Sequence, residues 1–419
     1  MSIEPFALRP RTEAGQRFFD GAVALKEPFA QRAAEADREG RFVADNVADL
    51  CASGVFGATA PAALGGGGLE SFHDLGAGIF ELGRACGSTA IASYMHLSAT
   101  LLLSRVWAAL EASGRADGAP HLREILTGVA EGREVIAVAV SEPGTLASVY
   151  PLTEALPTAD GQHYVISGQK IFATMSPAAS VLNATVRVVR EGEPDRFAFA
   201  LIRTQWEGVE LIDDWDALGM RGSGSGQIRL RGVRVPAAHV APGAPVRTLE
   251  GSALYNSLVA NTGLIAAGLG IAQAARDLVA GSASDRKKAH DGRSDAERPT
   301  VQAAMGELDS RLWAAKAMTA RSAIDVDDFY TRFSPRSAEL EDLLQLAAAT
   351  RATKVFVERT AVEVVDRALQ LTGGGGFMSK HPIARLYRDV RAIPFMIPQA
   401  HQSLPFVGSV AFGRRPEPC

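Results

Sequence analysis

The sequence predicts an α+β multidomain protein with an N-terminal α-helical domain, a middle β-barrel-like domain and a C-terminal helical bundle. Apolar residues recur at helical spacing up to about residue 130, follow a period of two from 131 to 245, and return to helical spacing afterwards. A Pro/Gly-rich segment, Pro236–Pro245, reads as a linker between the last two regions. Together these observations predict domains at 1–130, 131–245 and 246–419.

The N-terminal region reads as surface helices followed by two buried helices. Helical periodicity covers Thr12–Arg38 and Phe42–Ser53. A long apolar stretch, His73–Leu110, is interrupted near Gly87 and Ser88. Because glycine ends helices and serine caps their starts, this pair divides the stretch into two helices.

Short β-rich runs dominate the middle region, and long helical patterns follow it. In the last run, Ile228, Leu230 and Val233 alternate with arginines, which predicts a strand with one buried face. The predicted strands are Val135–Val140, His163–Ile166, Val181–Val189, Phe197–Ile202 and Gln227–Val235. The predicted C-terminal helices are Ala253–Leu278, Val301–Ala323 and Ala338–Leu371.

Composition restricts the classes of partner. Of 419 residues, 47% are apolar and 21% charged, which is ordinary for a globular chain, and a net charge of -4 provides no broad basic field for nucleic acid. Three widely spaced cysteines suggest neither a disulfide framework nor a metal cluster. The N-terminus lacks a signal-peptide pattern, and no stretch has the length and uniform apolarity of a membrane span. We therefore expect a soluble, cytoplasmic protein.

Two stretches of the middle region resemble signatures of the acyl-CoA dehydrogenase family. Val138–Gly144 is similar to the family's strand and turn ending in Thr-Glu-Pro, and Ser167–Thr174 resembles its Gly-x-Lys-x-Trp-Ile-Thr strand. The resemblance implies a four-helix C-terminal bundle and an FAD cofactor. The residues that it places at the flavin ring are Val140, Ser141, Phe172 and Thr174.

Two further stretches extend the resemblance over nearly the whole chain. Leu218–Ser223 matches a loop of the family's β-domain, and Gln370–Phe377, followed by Arg385–Asp389, resembles its C-terminal motif. In relatives this motif contacts the adenosine-diphosphate half of FAD in a neighbouring subunit, which implies a homo-oligomer. The resemblance assigns that contact to Gln370, Gly373, Gly374 and, near the pyrophosphate, Arg286.

The chain departs from the family at the catalytic base. A dehydrogenase of this family removes the Cα proton of an acyl thioester with a glutamate, but the usual position of that glutamate is Ile397. Other relatives carry the glutamate on the first C-terminal helix, where this chain has Ala260 followed by Asn261. Neither position holds an acid.

Two histidines are the candidates for a catalytic group. His96 lies on a helix that relatives direct toward the substrate cavity, and His401 follows the C-terminal turn. An imidazole with a pKa near 6.5 is largely neutral at pH 7 and can accept a proton. The alternative for both is a hydrogen-bonded structural histidine.

Three functions remain open on the sequence. The first is an FAD-dependent dehydrogenase of acyl thioesters, carried on CoA or a carrier protein, that has a non-standard base and passes electrons to an electron-transfer flavoprotein. The second is a two-component flavin-dependent monooxygenase supplied by a flavin reductase, although Phe395 and Met396 occupy the turn where that branch often has a histidine. The third is a flavoprotein that has lost redox activity.

Overall fold

The computed structural model describes residues 5–249, 251–333 and 340–418, with only the backbone at positions 116, 251–253, 255–257, 259 and 260. Its elements run in the order helices, strands, helices. This order confirms the predicted fold class, an N-terminal helical domain, a middle sheet domain and a C-terminal helical domain.

The N-terminal helices follow the predicted pattern with one refinement. The periodic segment Thr12–Arg38 forms two helices that meet at Leu25. The buried stretch is divided at Cys86, whose extended backbone separates a helix ending at Ala85 from one beginning at Gly87. The helices are α1 (Glu13–Ala24), α2 (Lys26–Glu39), α3 (Ala44–Ala52), α4 (Phe72–Ala85), α5 (Gly87–Ala112) and α6 (Pro120–Ala130).

The middle domain is a mixed eight-stranded sheet. Its strands are β1 (Ile136–Ala139), β2 (Glu154–Pro157), β3 (His163–Lys170), β4 (Val181–Val188), β5 (Arg196–Arg203), β6 (Val209–Ile212), β7 (Gln227–Pro236) and β8 (Val240–Pro245). They lie in the order β6-β7-β3-β2-β4-β5-β8, with β1 paired to β4. Strands β1 and β2 run parallel to β4, and the other pairs are antiparallel.

The interpretation of Pro236–Pro245 as a linker is wrong. Most of this segment is strand β8, which pairs with β5 through Pro242 opposite Ala198 and Pro245 opposite Arg196. Proline lacks an N–H donor, so it is tolerated on an edge strand such as β8. The short strands β2 and β6 were also not predicted, because four residues are too few to show a clear period.

Long helices form the C-terminal domain and pack closely on the N-terminal one. A Cβ on Gly270 would lie 2.3 Å from the Phe80 carbonyl oxygen, so glycine is required where α4 meets the next helix. Residues 261–285 of that helix are apolar enough to span a membrane, but 72% of their most apolar window is buried inside the protein, as in a soluble core helix. The helices are α7 (Gly251–Asp285), α8 (Pro299–Arg332), α9 (Leu340–Leu371), α10 (Pro382–Val390) and α11 (Ala400–Ala411).

A histidine pair joins the N-terminal helices to the sheet domain. His121 on α6 and His239, just before β8, stack with their ring centroids 4.5 Å apart. Desolvation, followed by the nearby His239, lowers the pKa of His121 to about 4, while Glu124 acts in the opposite direction. Desolvation also lowers the pKa of His239, and Arg203 adds to this effect. Both rings are therefore neutral at pH 7.

This pair predicts loss of stability in acid. Because the folded-state pKa of His121 lies below its unfolded value of about 6.5, its contribution is complete above pH 6.5 and decreases as the pH falls toward 4. We expect His121→Phe, which keeps the stacking, to reduce this acid-dependent loss by about 1 kcal/mol, a value discounted because His121 is only half-buried. Urea unfolding between pH 7 and pH 4 measures the difference, with the exposed His290→Phe as control. Equal losses in wild type and His121→Phe would contradict the expectation.

Candidate functional site

The loop between β1 and β2 is fixed by a buried ion pair. The Glu142 carboxylate accepts a hydrogen bond from the Lys170 ammonium on β3, and both side chains are almost completely buried. The same carboxylate accepts bonds from the Leu152 amide and from the Thr153 amide and hydroxyl. Desolvation lowers the pKa of Lys170 to about 8, and Glu142 opposes this effect. These bonds therefore hold the start of the loop, at Glu142, against its end, at Leu152 and Thr153.

This closed loop holds the predicted flavin contacts Val140 and Ser141. The Ser141 carbonyl accepts a hydrogen bond from the Ile171 amide, at 2.9 Å, directly after β3. The Val140 carbonyl accepts from the Thr185 hydroxyl on β4, at 3.3 Å. The two predicted segments after β1 and β3 are therefore adjacent, as the sequence signatures imply.

The segment after β3 has an unusual backbone and an exposed aromatic ring. Phe172 has φ 54° and Met175 has φ 68°, both in the left-handed region that non-glycine residues rarely adopt. The Phe172 ring is 60% exposed and meets the edge of Trp215, with ring centroids 6.1 Å apart. Strained backbone of this kind persists where the surrounding structure imposes it, and it concentrates at functional sites. An exposed, rigidly held ring suits stacking against a planar cofactor.

A chain of three buried hydroxyls begins at Thr174. Its hydroxyl oxygen lies 2.9 Å from that of Ser225, which lies 2.7 Å from that of Ser223. Either atom of each pair can donate, so the Thr174 hydroxyl can present a donor or an acceptor to a bound molecule. The sequence analysis identified Thr174 as a flavin contact and Ser223 as the end of the third family signature, but it did not predict their connection through Ser225.

The third sequence signature, Leu218–Ser223, connects the sheet domain to the helices through hydrogen bonds and close backbone contact. The Met220 amide donates a 2.7 Å hydrogen bond to the buried Asp389 carboxylate on α10, and burial raises the pKa of Asp389. Arg388 forms a two-pronged ion pair with Asp37 on α2, at 2.6 and 2.8 Å. Gly219 lies against the Arg388 backbone, where a Cβ would approach the carbonyl oxygen to 2.1 Å. Arg388 and Asp389 thus have structural partners.

The first part of the fourth signature, Gln370–Phe377, forms an exposed turn at the end of α9. Gly373 has φ 68°, and a Cβ added at Gly374 would meet no atom within 4 Å. Gln370 is exposed and bonds Asp366 and Arg367. An open glycine backbone next to a polar side chain fits a phosphate-bearing ligand, since backbone N–H groups can approach it closely.

Arg286 supports this turn from within the protein. Its guanidinium donates to the Leu371 and Thr372 carbonyl oxygens, at 2.8 and 2.5 Å, and its Nε atom lies 3.3 Å from a carboxylate oxygen of Asp295. These groups lie on the C-terminal domain, whereas Ser141, Phe172 and Thr174 lie on the sheet domain. The structure therefore places the predicted residues in two groups on different domains.

His96 is fully engaged in structural contacts. The Ile136 amide donates to Nδ1 at 3.0 Å, so the proton resides on Nε2, which donates to the Phe56 carbonyl at 3.1 Å. The ring is 0% exposed, and desolvation lowers its pKa to about 4. Neither nitrogen is available to a substrate in this arrangement.

The remaining candidate positions show no carboxylate. His401 is exposed in the first turn of α11, and Ile397 is half-buried just before this helix. The side chain of Ala260 lies outside the described residues. Asn261 is 1% exposed, and neither end of its amide has a hydrogen-bond partner in the described part of the chain. A buried amide without partners is costly, so we expect an ordered water, a ligand or a group outside the described residues to bind Asn261.

The fold and these signatures define a flavoprotein oxidoreductase. Family models for the N-terminal, middle and C-terminal domains of acyl-CoA dehydrogenases match residues 21–106, 137–233 and 262–399. The chain belongs to the acyl-CoA dehydrogenase family.

Several relatives that match this chain over nearly its whole length are named for a reaction other than acyl-CoA dehydrogenation. The amino sugar nitrososynthase DnmZ of Streptomyces peucetius is 30% identical, covering 97% of this chain and 95% of the relative. The L-evernosamine nitrososynthase of a Micromonospora species is 28% identical, covering 94% and 89%. The solved structure of KijD3 with FMN and dTDP-3-amino-2,3,6-trideoxy-4-keto-3-methyl-D-glucose has a TM-score of 0.89 at 28% identity, covering 100% of this chain and 98% of KijD3.

Proposed function

We propose that this protein is a two-component flavin-dependent monooxygenase that oxidises the amino group of a nucleotide-linked amino sugar. The observation that carries the proposal is the lack of an acid at both family positions for the base, Ile397 and Ala260, in a chain whose relatives include nitrososynthases over nearly its whole length. Removal of a Cα proton requires a correctly placed base, whereas an amine reacts through its nitrogen lone pair and needs no base to break a C–H bond. The acyl-thioester hypothesis is left with His96, whose nitrogens are occupied, and the exposed His401.

The residues of the sheet domain would hold the flavin ring. Phe172 offers an exposed ring for stacking, Thr174 offers a hydroxyl, and the loop containing Val140 and Ser141 is rigid because Glu142 closes it. Reduced flavin supplies the two electrons with which one atom of dioxygen is transferred to the amine while the other leaves as water. The protein's own task is to orient the amine and to exclude bulk water.

We propose FAD as the flavin and a homo-oligomer as the functional form. Support comes from the exposed turn at Gln370, Gly373 and Gly374, which Arg286 holds through two hydrogen bonds. FMN lacks the adenosine half that the family signature assigns to this turn, so the turn favours FAD. The solved KijD3 complex contains FMN, so the choice is open to direct test. Chromatography of the flavin released from purified protein distinguishes FAD from FMN, and light scattering determines the number of subunits.

The decisive experiment compares the two chemistries with one protein preparation. The protein, a flavin reductase, NADH and oxygen are incubated with a thymidine-diphosphate-linked amino sugar, and mass spectrometry follows oxygen incorporation at nitrogen. The matched control is the same sugar nucleotide with a hydroxyl in place of the amine, which we expect to remain unchanged. In parallel, the flavin-loaded protein is mixed with acyl-CoA thioesters without oxygen.

Three outcomes separate the hypotheses. Oxygen incorporation into the amino sugar, with no bleaching of flavin by thioesters, supports the proposal. Bleaching by a thioester in the absence of oxygen would instead identify a dehydrogenase that uses an unrecognised base and passes electrons to an electron-transfer flavoprotein. Activity in neither assay would point to a flavoprotein without redox function.

A further inference from the structure

The side chain of Tyr150 lies between two guanidinium groups that differ in their surroundings. The Cζ atoms of Arg187 and Arg247 lie 5.0 and 4.3 Å from the centroid of the Tyr150 ring. Arg187 is 13% exposed and binds the carboxylates of Glu154 and Asp195. Arg247 is exposed, and in the described ranges no carboxylate lies within ion-pairing distance of it. No described carboxylate therefore neutralises its positive charge.

The backbone holds Arg247 in this position. Its φ is 62°, in the left-handed region, and its amide donates to the Val149 carbonyl at 3.2 Å. An arginine rarely adopts this conformation, so the surrounding contacts must compensate for its cost. The result is a guanidinium placed over an aromatic ring, where it can also bind an anion.

A second arginine binds the segment that follows Arg247. The Arg415 guanidinium donates to the Leu249 carbonyl at 2.8 Å, which brings the C-terminal segment to the residues that follow Arg247. The neighbouring Arg414 is also exposed, and helix α7 begins at Gly251 with the positive end of its dipole. Although the protein has a net charge of -4, positive groups thus converge at this place.

The same loop connects this basic cluster to the predicted flavin contacts. Ser141 lies at the start of the loop, and the Glu142 carboxylate binds the amide of Leu152. Since Tyr150 is two residues from Leu152, it lies within about 15 Å of Glu142. The basic cluster and the predicted flavin contacts thus lie on the same loop.

We infer that Arg247, assisted by Arg415 and the Tyr150 ring, forms a binding subsite for the diphosphate of the nucleotide-linked substrate. The inference rests on the proposed function. Guanidinium groups match the oxygen geometry of phosphates, and charge-assisted bonds of this kind are strong. The diphosphates of FAD and of coenzyme A share this chemistry, so the test must distinguish all three sources.

Calorimetric titration of the full-length, flavin-loaded protein tests the inference. Thymidine diphosphate, thymidine and coenzyme A are the probes, and FAD and FMN are titrated separately into protein stripped of flavin. Arg247→Gln should weaken the binding of thymidine diphosphate by about 10- to 100-fold, because a charge-assisted bond is lost, and should leave thymidine unaffected. Arg247→Lys should retain part of the affinity. Arg231→Gln, which removes another exposed arginine, paired with Glu210, is the matched control and should change nothing.

The outcomes separate this inference from the proposed function. Unchanged thymidine diphosphate affinity in Arg247→Gln overturns the inference, even if the amino sugar is oxidised. Selective loss of FAD affinity or of coenzyme A affinity would assign the subsite to that molecule and also overturn it. Loss of thymidine diphosphate affinity without any amine oxidation by wild type would leave the subsite standing and remove only the proposed reaction.

Discussion

Replacing Glu142 by alanine is expected to lower the free energy of unfolding by about 3 to 5 kcal/mol, because it removes the carboxylate that balances the charge of the buried Lys170 ammonium. The amides of Leu152 and Thr153 lose their acceptor at the same time. Since this carboxylate closes the loop that contains Ser141, flavin affinity should fall together with stability. Urea unfolding and flavin titration measure the two effects.

A surface ion pair provides the control for Glu142. Arg321 and Asp325 are paired one helical turn apart on the exposed face of α8, and Asp325→Ala should cost less than about 1 kcal/mol. The double variant Glu142→Gln/Lys170→Met removes both charges and should recover part of the loss seen in Glu142→Ala. A cost of Glu142→Ala below that of Asp325→Ala would show that the buried pair does not stabilise the loop.

The second large effect is expected at His96. His96→Ala removes the partners of two buried backbone groups, the Phe56 carbonyl and the Ile136 amide, at about 1 to 3 kcal/mol each. We therefore expect the free energy of unfolding to decrease by about 2 to 6 kcal/mol while turnover per bound flavin stays within a few-fold. Chemical denaturation and the amine oxidation assay, normalised to flavin content, provide the two readouts.

His401→Ala is the matched comparison, because this second histidine is exposed. Its stability should change by no more than about 0.5 kcal/mol. A different pattern at His96, with stability preserved and turnover reduced about 10² to 10⁴-fold, would identify an imidazole acting as a general base. The same loss in thioester-driven bleaching of the flavin would return the acyl-thioester hypothesis to first place.

The fold was largely predictable because apolar periodicity reflects backbone geometry. The division of the buried helices at Gly87 and the alternation from Ile228 to Val235 both appear in the structure where the sequence indicated. Prediction failed for β8, since the prolines that mark a linker are also tolerated on an edge strand. Local composition could not show that this segment lies beside β5.

Sequence by itself determined the family signatures and the lack of an acid at Ile397, and it predicted which residues contact the flavin. Only the tertiary structure showed that His96 is fully hydrogen-bonded, that Glu142 pairs with Lys170, and that Arg247 stacks on Tyr150. The physical reason is that a motif reports the backbone and side chains of one segment. Hydrogen bonding, burial and charge pairing instead depend on partners that are distant along the chain and become neighbours only in the folded protein.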